Sequence, residues 1–354
     1  MTTSTLLSER LRSHRLTAST RTVVDAARHM LAVPAQDFVA GRWALGIRST
    51  GSPTLSTVDR AFATGALVRS WTMRGTLHII PAADLRWVLS VTADRQRRQA
   101  AGRQRQLGVD DEMLGRVARS IAPRLADGGR TRAQLFDDIA ALGIDPSGQR
   151  GVHILGALCL DGILVQGPVV PRAGAVSREQ LFVAAANHIT EDVTPEDPLG
   201  ELFVRYIDGH GPAGVADFAW WSGLALGVAR QALERARHRI AEFDDDLFVS
   251  AARPRRSPGA SDERMLALPM FDEYYISYAD RSPVADAEAR ASIGPGRNGM
   301  VRASLVSAGR IVGAWTHSAA VHRHEDAPVG ELFEVADDDR VAQALRRYGD
   351  FVSA

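Results

Sequence analysis

The chain has 354 residues, 45% of them hydrophobic and 24% charged, which is enough for two or three compact domains with ample core. Formal net charge is zero, 42 acidic side chains against 42 cationic ones, and every cation is an arginine because the sequence contains no lysine. One cysteine, Cys159, excludes an internal disulfide framework; no run of about 18 apolar residues and no apolar leader are found, so the chain is expected in the cytoplasm. The missing lysine also matters chemically. Schiff-base chemistry has no side-chain amine to use, whereas arginine forks match phosphate and guanine edges bidentately.

Taken in chain order, the elements fall into similar blocks. In the first, helical patterns at 20–32 and 37–48 lead into a third at 55–64, opened by the cap candidates Thr54 and Ser56. Gly65 stops that helix, and strand-like segments at 67–71 and 76–80 flank Thr72-Met73-Arg74-Gly75. Three helices followed by a hairpin is the winged-helix plan, a helix-turn-helix with a β wing. The second block has helices at 110–125, from Thr131 to Gly143 and at 148–161, then a strand at 163–166. Its junction Gly162-Ile-Leu-Val-Gln166 matches Gly65-Ala-Leu-Val-Arg69, the mark of a repeat. The third has helices at 198–208 and 224–236 around Gly211-Pro-Ala-Gly-Val-Ala-Asp-Phe-Ala-Trp-Trp221, with wing strands at 239–243 and 247–249.

A turn-rich linker at 253–261 follows, after which the apolar period changes from helical to alternating. Strands are expected at 266–269, 300–306, 310–316 and 332–335, and a short helix at 340–349. The expected fold class is therefore α+β, mainly α. Three tandem winged-helix units occupy 1–109 (with a basic helix), 110–195 and 196–252, and a small α+β cap with β-hairpins occupies 262–354.

Several familiar patterns fail. Gly294-Pro-Gly-Arg-Asn-Gly299 spells a dinucleotide fingerprint, but no strand leads into it, so it reads as a turn. His322 and His324 lack a third ligand at proper spacing and read as a surface loop; no metal is expected. The segment Val68-Arg-Ser-Trp-Thr-Met-Arg-Gly-Thr-Leu-His78 is the richest. On a wing, Arg69, Arg74 and His78 at alternating positions would face phosphate or base edges, while Trp71 and Leu77 pack beneath. The run from Arg95 to Arg105, which includes Arg98, has five arginines and no acid and adds a phosphate-facing candidate, whereas acids gather at 244–246 and 337–339.

Trp71-Thr-Met-Arg-Gly-Thr-Leu-His78 resembles the Trp-x-Met-Arg-Gly-Thr-Leu-His signature of the AlkZ-like winged-helix DNA glycosylases. Asp217-Phe-Ala-Trp-Trp-Ser-Gly223, Phe271-Asp-Glu-Tyr-Tyr-Ile-Ser-Tyr-Ala-Asp-Arg-Ser282 and Asn298-Gly-Met-Val-Arg302 resemble further segments of that family, in the same order. The resemblance implies three tandem winged-helix units in a C-shape around a DNA channel. It also implies hydrolytic excision of N-alkylated bases from double-stranded DNA at the nucleoid, by a monomer without metal or organic cofactor. The family's Gln-x-Gln or Gln-x-Asp motif maps onto Leu31-Ala-Val-Pro-Ala-Gln-Asp-Phe38, with Gln36 at its second position and Pro34 at its first. Gln36 would orient the attacking water. Asp37 either supplies charge or caps the following helix. The rival from another class is a DNA binder without catalysis, a lesion binder or regulator, supported by Pro34. A one-component regulator would also need a dimerisation helix with apolar heptads, and none is found.

Overall fold

The computed structural model describes residues 2–126, 128–252, 264–334 and 336–353; the 253–261 linker lies outside them, as does Val335 of the last expected strand. Fifteen α-helices and eleven strands are found among the described residues. In order they are α1 (Thr3–Ser13), α2 (Val23–Met30), β1 (Val33–Pro34), α3 (Phe38–Ile47), α4 (Leu55–Ala63), β2 (Leu67–Met73), β3 (Thr76–Pro81), α5 (Leu85–Gln106), α6 (Asp111–Ala126), α7 (Arg132–Ala140), α8 (Arg150–Leu160), β4 (Leu164–Val169), β5 (Gln180–Ala184) and α9 (Ala185–His188). The remainder are α10 (Pro198–His210), α11 (Val215–Ser222), α12 (Leu226–Ala236), β6 (Ile240–Asp244), β7 (Leu247–Ser250), β8 (Leu266–Leu268), α13 (Glu273–Ile276), α14 (Ala287–Ile293), β9 (Ala303–Ser307), β10 (Arg310–Thr316), β11 (Val329–Leu332) and α15 (Asp338–Ser353). The class is α+β, mainly helical, with small antiparallel sheets.

Two compact units share the chain. One gathers Met1–Val58, Arg172–Val176 and Leu199–Ala354; the other gathers Asp59–Pro171 and Ser177–Pro198. In the second unit the repeat read from the sequence becomes a symmetric contact. Gly65 and Gly162 both take left-handed φ, 74° and 68°, which lets each helix stop and its chain enter a strand. A side chain at Gly65 would also collide with the His188 carbonyl, 2.6 Å from where its Cβ would stand. Four residues after each glycine come Arg69 and Gln166, and these two pair across β2 and β4. Antiparallel pairing of equivalent residues relates the two repeats by a local two-fold. The expected separate wings thus merge into one antiparallel sheet, β3–β2–β4–β5, of which β5 was not expected. Val117, Ile121, Leu135, Ile139, Ile154 and Leu158 from α6, α7 and α8 form the adjoining core, with Trp71 packed against it.

The first unit is organised around α3. Every residue of α3 is buried, so it cannot be an amphipathic surface helix and must be wrapped on all sides. The other elements do the wrapping. Thr2 caps α1, which buries Leu6, Leu7 and Leu11; the sequence reading had no element here. Trp43 of α3 donates to the Ala267 carbonyl of β8 at 2.7 Å, and its ring meets Phe351 and Tyr348 of α15 at 5.0 and 5.5 Å. β8 is the edge of the sheet β11–β10–β9–β8, and β6 and β7 form a separate hairpin as expected. The final strand runs from Val329 to Leu332 rather than from 332 onward, and the final helix is 16 residues long rather than ten. Gly294–Gly299 is a turn before β9, closed by Gly296 N–H to the Met300 carbonyl.

Candidate functional site

Gln36 sits on the short connection between α2 and α3, and its setting follows from local rules. Thr22 caps α2, its hydroxyl accepting from Asp25 N–H at 3.0 Å. The helix ends at Leu31, whose φ of 63° and ψ of −56° put a fully buried leucine at the centre of a γ-turn, closed by Ala32 N–H to the Met30 carbonyl at 2.8 Å. Positive φ in a side chain of this size is strained and needs surrounding packing to hold it. The turn sends the chain into Val33 and Pro34, both buried, then to Ala35, buried, and to Gln36, exposed. Asp37 follows as the cap of α3: its Oδ1 accepts from Ala40 N–H at 2.9 Å. Of the two readings of Asp37, this geometry is the capping one. Pro34, at the first position of the motif, is a buried chain-directing residue, while Gln36 is an exposed residue at the N-terminal end of a buried helix.

That helix is anchored by ionic and polar contacts from the Phe271–Ser282 segment, whose role the sequence reading had left open. Arg48, directly after α3, donates through two nitrogens to the carboxylate of Asp272 at 2.8 and 2.7 Å, with both side chains 1% exposed. Asp272 also caps α13, accepting from Tyr274 N–H. Glu273 meets His210 Nε2 at 2.7 Å, and His210 Nδ1 lies 2.9 Å from the Tyr206 carbonyl. Tyr278 donates to the His210 carbonyl and lies 2.8 Å from His14 Nε2. Burial, followed by the neighbouring His210, lowers the His14 pKa well below the usual imidazole value. Buried ionic groups persist only when paired and hydrogen-bonded. The motif is therefore a scaffold holding α1, α3 and α10 together, gripping α3 at its C-terminal end.

The wing candidates lie in the second unit, and there several expectations are corrected. β2 and β3 are joined by Arg74-Gly75, both at positive φ, 54° and 70°, the geometry of a two-residue type I′ turn. Arg69 opposes Ile79 whereas His78 opposes Ser70, so Arg69 and His78 leave opposite faces of the hairpin. Neither reaches solvent: Arg69 is 7% exposed and donates to Gln166 Oε1 at 2.7 Å, and His78 is 0% exposed beside the Thr72 hydroxyl. Burial, then the charge of Arg74, pulls the His78 pKa down to about 3, so it is a neutral ring at physiological pH. For Arg69 the pairing of β2 with β4 is the physical reason, since it sets Gln166 directly opposite the side chain. Only Arg74 remains at the tip, half-buried.

In the basic helix α5, Arg98 is exposed and Arg95 half-buried, while Arg97 is engaged with Asp94 and Asp161 and Arg103 with Gln149. Gln96, inside the same run, was missed. It is buried, donates to the Thr72 carbonyl at 2.6 Å and accepts from Gly75 N–H at 3.0 Å, clamping the wing tip to α5. An uncharged residue placed between arginines was the only signal for it. Gln96→Ala leaves the carbonyl of buried Thr72 without this donor, which costs about 1–3 kcal/mol, and opens the Gly75 N–H to solvent. Amide exchange at Gly75 should accelerate at least tenfold in that variant; unchanged protection would refute the clamp.

A family model described as DNA glycosylase AlkZ-like matches residues 27–351. The chain belongs to the AlkZ-like DNA glycosylase family. An interstrand DNA cross-link repair glycosylase from Streptomyces sahachiroi is 22% identical to it over 311 residues, 82% of this chain and 81% of that protein. The solved structure of the DNA glycosylase AlkZ from Streptomyces sahachiroi aligns with a TM-score of 0.79 at 20% identity, covering 100% of this chain and 98% of that one. At that identity the structural likeness is one of fold.

Proposed function

We propose that the protein is a monofunctional DNA glycosylase that hydrolyses the N-glycosidic bond of N-alkylated purines, acting as a monomer on double-stranded DNA in the cytoplasm at the nucleoid. The observation that carries this reading is Gln36: an exposed glutamine at the entrance of the buried helix α3, within the region matched by the family model. An amide oxygen there orients a water beneath the sugar. The water oxygen bonds to C1′ and releases a proton to solvent, while the glycosidic electron pair leaves with the base. Alkylation at N3 or N7 has already made the base cationic, so it departs neutral and needs no general acid. Residues 1–109, 110–195 and 196–252 are read as three winged-helix units that grip the duplex, with the β2–β3 hairpin, Arg74, Arg95 and Arg98 toward it.

The test is base release from duplexes carrying N3- or N7-alkylpurines or an interstrand cross-link, the last because the relative from Streptomyces sahachiroi is named for cross-link repair. Release from none of them would overturn the reading. One observation favours the non-catalytic alternative: Pro34 leaves Gln36 without the amide partner that the family motif supplies two residues earlier. Under either reading, duplex affinity should fall linearly in log–log form with salt, and Arg74→Ala should flatten that slope. Affinity indifferent to salt would refute both. Excision should also stop at the abasic site. Strand nicking by β-elimination passes through a Schiff base, and this sequence offers no lysine to form one. Borohydride trapping of a protein–DNA adduct would contradict that outcome.

A further inference from the structure

At the C-terminal end of α3, the end opposite Gln36 and about 15 Å from it by helical rise, the first unit carries a half-open cavity of about 840 Å³. This lies in the size range of small-molecule sites. Its apolar floor includes Trp43, and among the described residues its charged lining comprises Arg264, Arg340, Arg346 and Arg347 with one carboxylate, Asp350. Positions 340, 343, 347 and 350 recur on one flank of α15, so the helix periodicity itself aims that row into the hollow. Arg340 is partly neutralised by Asp337 at 3.3 Å. Arg347 is held differently: its guanidinium lies 5.8 Å from the Trp43 ring centroid and donates to the carbonyls of Ile47 and Ser49 at 3.1 and 3.4 Å. Those neutral contacts position the fork without cancelling its charge. Burial, and then the charge of Arg264, both disfavour the Arg347 cation. Guanidiniums that line one hollow and disfavour each other's charge are stabilised together by an anion bound among them.

We propose that this cavity is a binding site for a phosphate ester of up to nucleotide size, held by Arg264, Arg346 and Arg347. The phosphate comes either from a free mononucleotide or from a duplex backbone, and in both cases the site is separate from Gln36 and does not depend on base excision. Three probes distinguish the outcomes: inorganic phosphate, deoxyadenosine monophosphate and an undamaged short duplex. Each is titrated into the whole protein while the Trp43 indole N–H resonance is followed, with Trp43→Phe assigning it. Arg264→Gln/Arg346→Gln is the test variant because neither side chain bonds the α3 terminus, and Arg264→Lys/Arg346→Lys retains the charge. A saturable shift with phosphate or the nucleotide, weakened at least tenfold in the Gln pair and largely retained in the Lys pair, identifies a free-anion site. No shift with either small probe, but at least tenfold weaker duplex binding and a shallower salt dependence in the Gln pair, identifies a backbone-phosphate site. If no probe moves the wild-type resonance and duplex affinity is the same in all three proteins, the proposal is wrong. Loss of base release in a Gln36 variant bears on the excision reading alone.

Discussion

An alanine at position 36 is expected to lower base release from alkylated duplex at least 100-fold while leaving duplex affinity within a few-fold. The asymmetry follows from the role. A side chain that orients a water acts mainly in the transition state, so its removal appears in the chemical step rather than in binding. Single-turnover excision beside equilibrium binding separates the two, and a proportional loss in both would make Gln36 a contact residue. Gln36 is exposed and lies outside α3, so the change should leave the melting temperature nearly unaltered. Pro34→Gln restores the first motif position and should raise the rate. A fall in rate accompanied by lost stability would instead show that buried Pro34 serves the chain path alone.

Asp272→Ala should be among the most destabilising single changes in the first unit. It strands Arg48, 1% exposed, without its carboxylate, and removes the cap of α13. Removing one partner of a buried pair costs about 3–5 kcal/mol, a large share of a typical domain's total stability. Urea unfolding would read it as a shift in midpoint at unchanged slope. Replacing both partners by apolar residues, Arg48→Met with Asp272→Leu, should recover most of the loss, because the penalty comes from the unpaired charge. A double variant as unstable as Asp272→Ala would assign the loss to the cap and not to the ion pair.

Local signals carried much of the architecture. Helices α3, α4, α6 and α8 and the strands β2, β3 and β10 stand within a few residues of their expected places, because caps, stop glycines and apolar periods are short-range features. The repeat at Gly65 and Gly162 was also legible, and the pairing of Arg69 with Gln166 explains why it exists. What that pairing does to the wing could not be read, because it joins residues 97 apart in sequence. An arginine in an alternating strand looks the same whether it faces phosphate or a buried glutamine. The same limit hid the Phe271–Ser282 segment, whose carboxylates look like site chemistry until Arg48 and His210 are found opposite them. Gln36 stood out only through resemblance, since a lone glutamine before a helix has no pattern of its own. Its exposure beside buried Pro34 is what the three-dimensional arrangement adds.

The first unit takes its N-terminal 58 residues from the start of the chain and their partners from beyond residue 199. As the ribosome works from one end, α3, every residue of which is buried in the finished unit, emerges before its partners, with Arg48 directly after it. Ala267 and Asp272, which receive Trp43 and Arg48, follow 224 residues later. At about 5–20 residues per second, that delay is roughly 10–45 seconds. During it, a segment that the finished unit buries completely waits without its partners, while the other unit, whose last residue is Pro198, is synthesised in full well before residue 272 appears. Closing so long a loop is also entropically slow. The segment bearing Gln36 is therefore among the last parts of the protein to become native, and it is the part most exposed to chaperone capture or aggregation during synthesis. A message truncated before codon 272 would yield a folded second unit joined to an N-terminal segment with no partner.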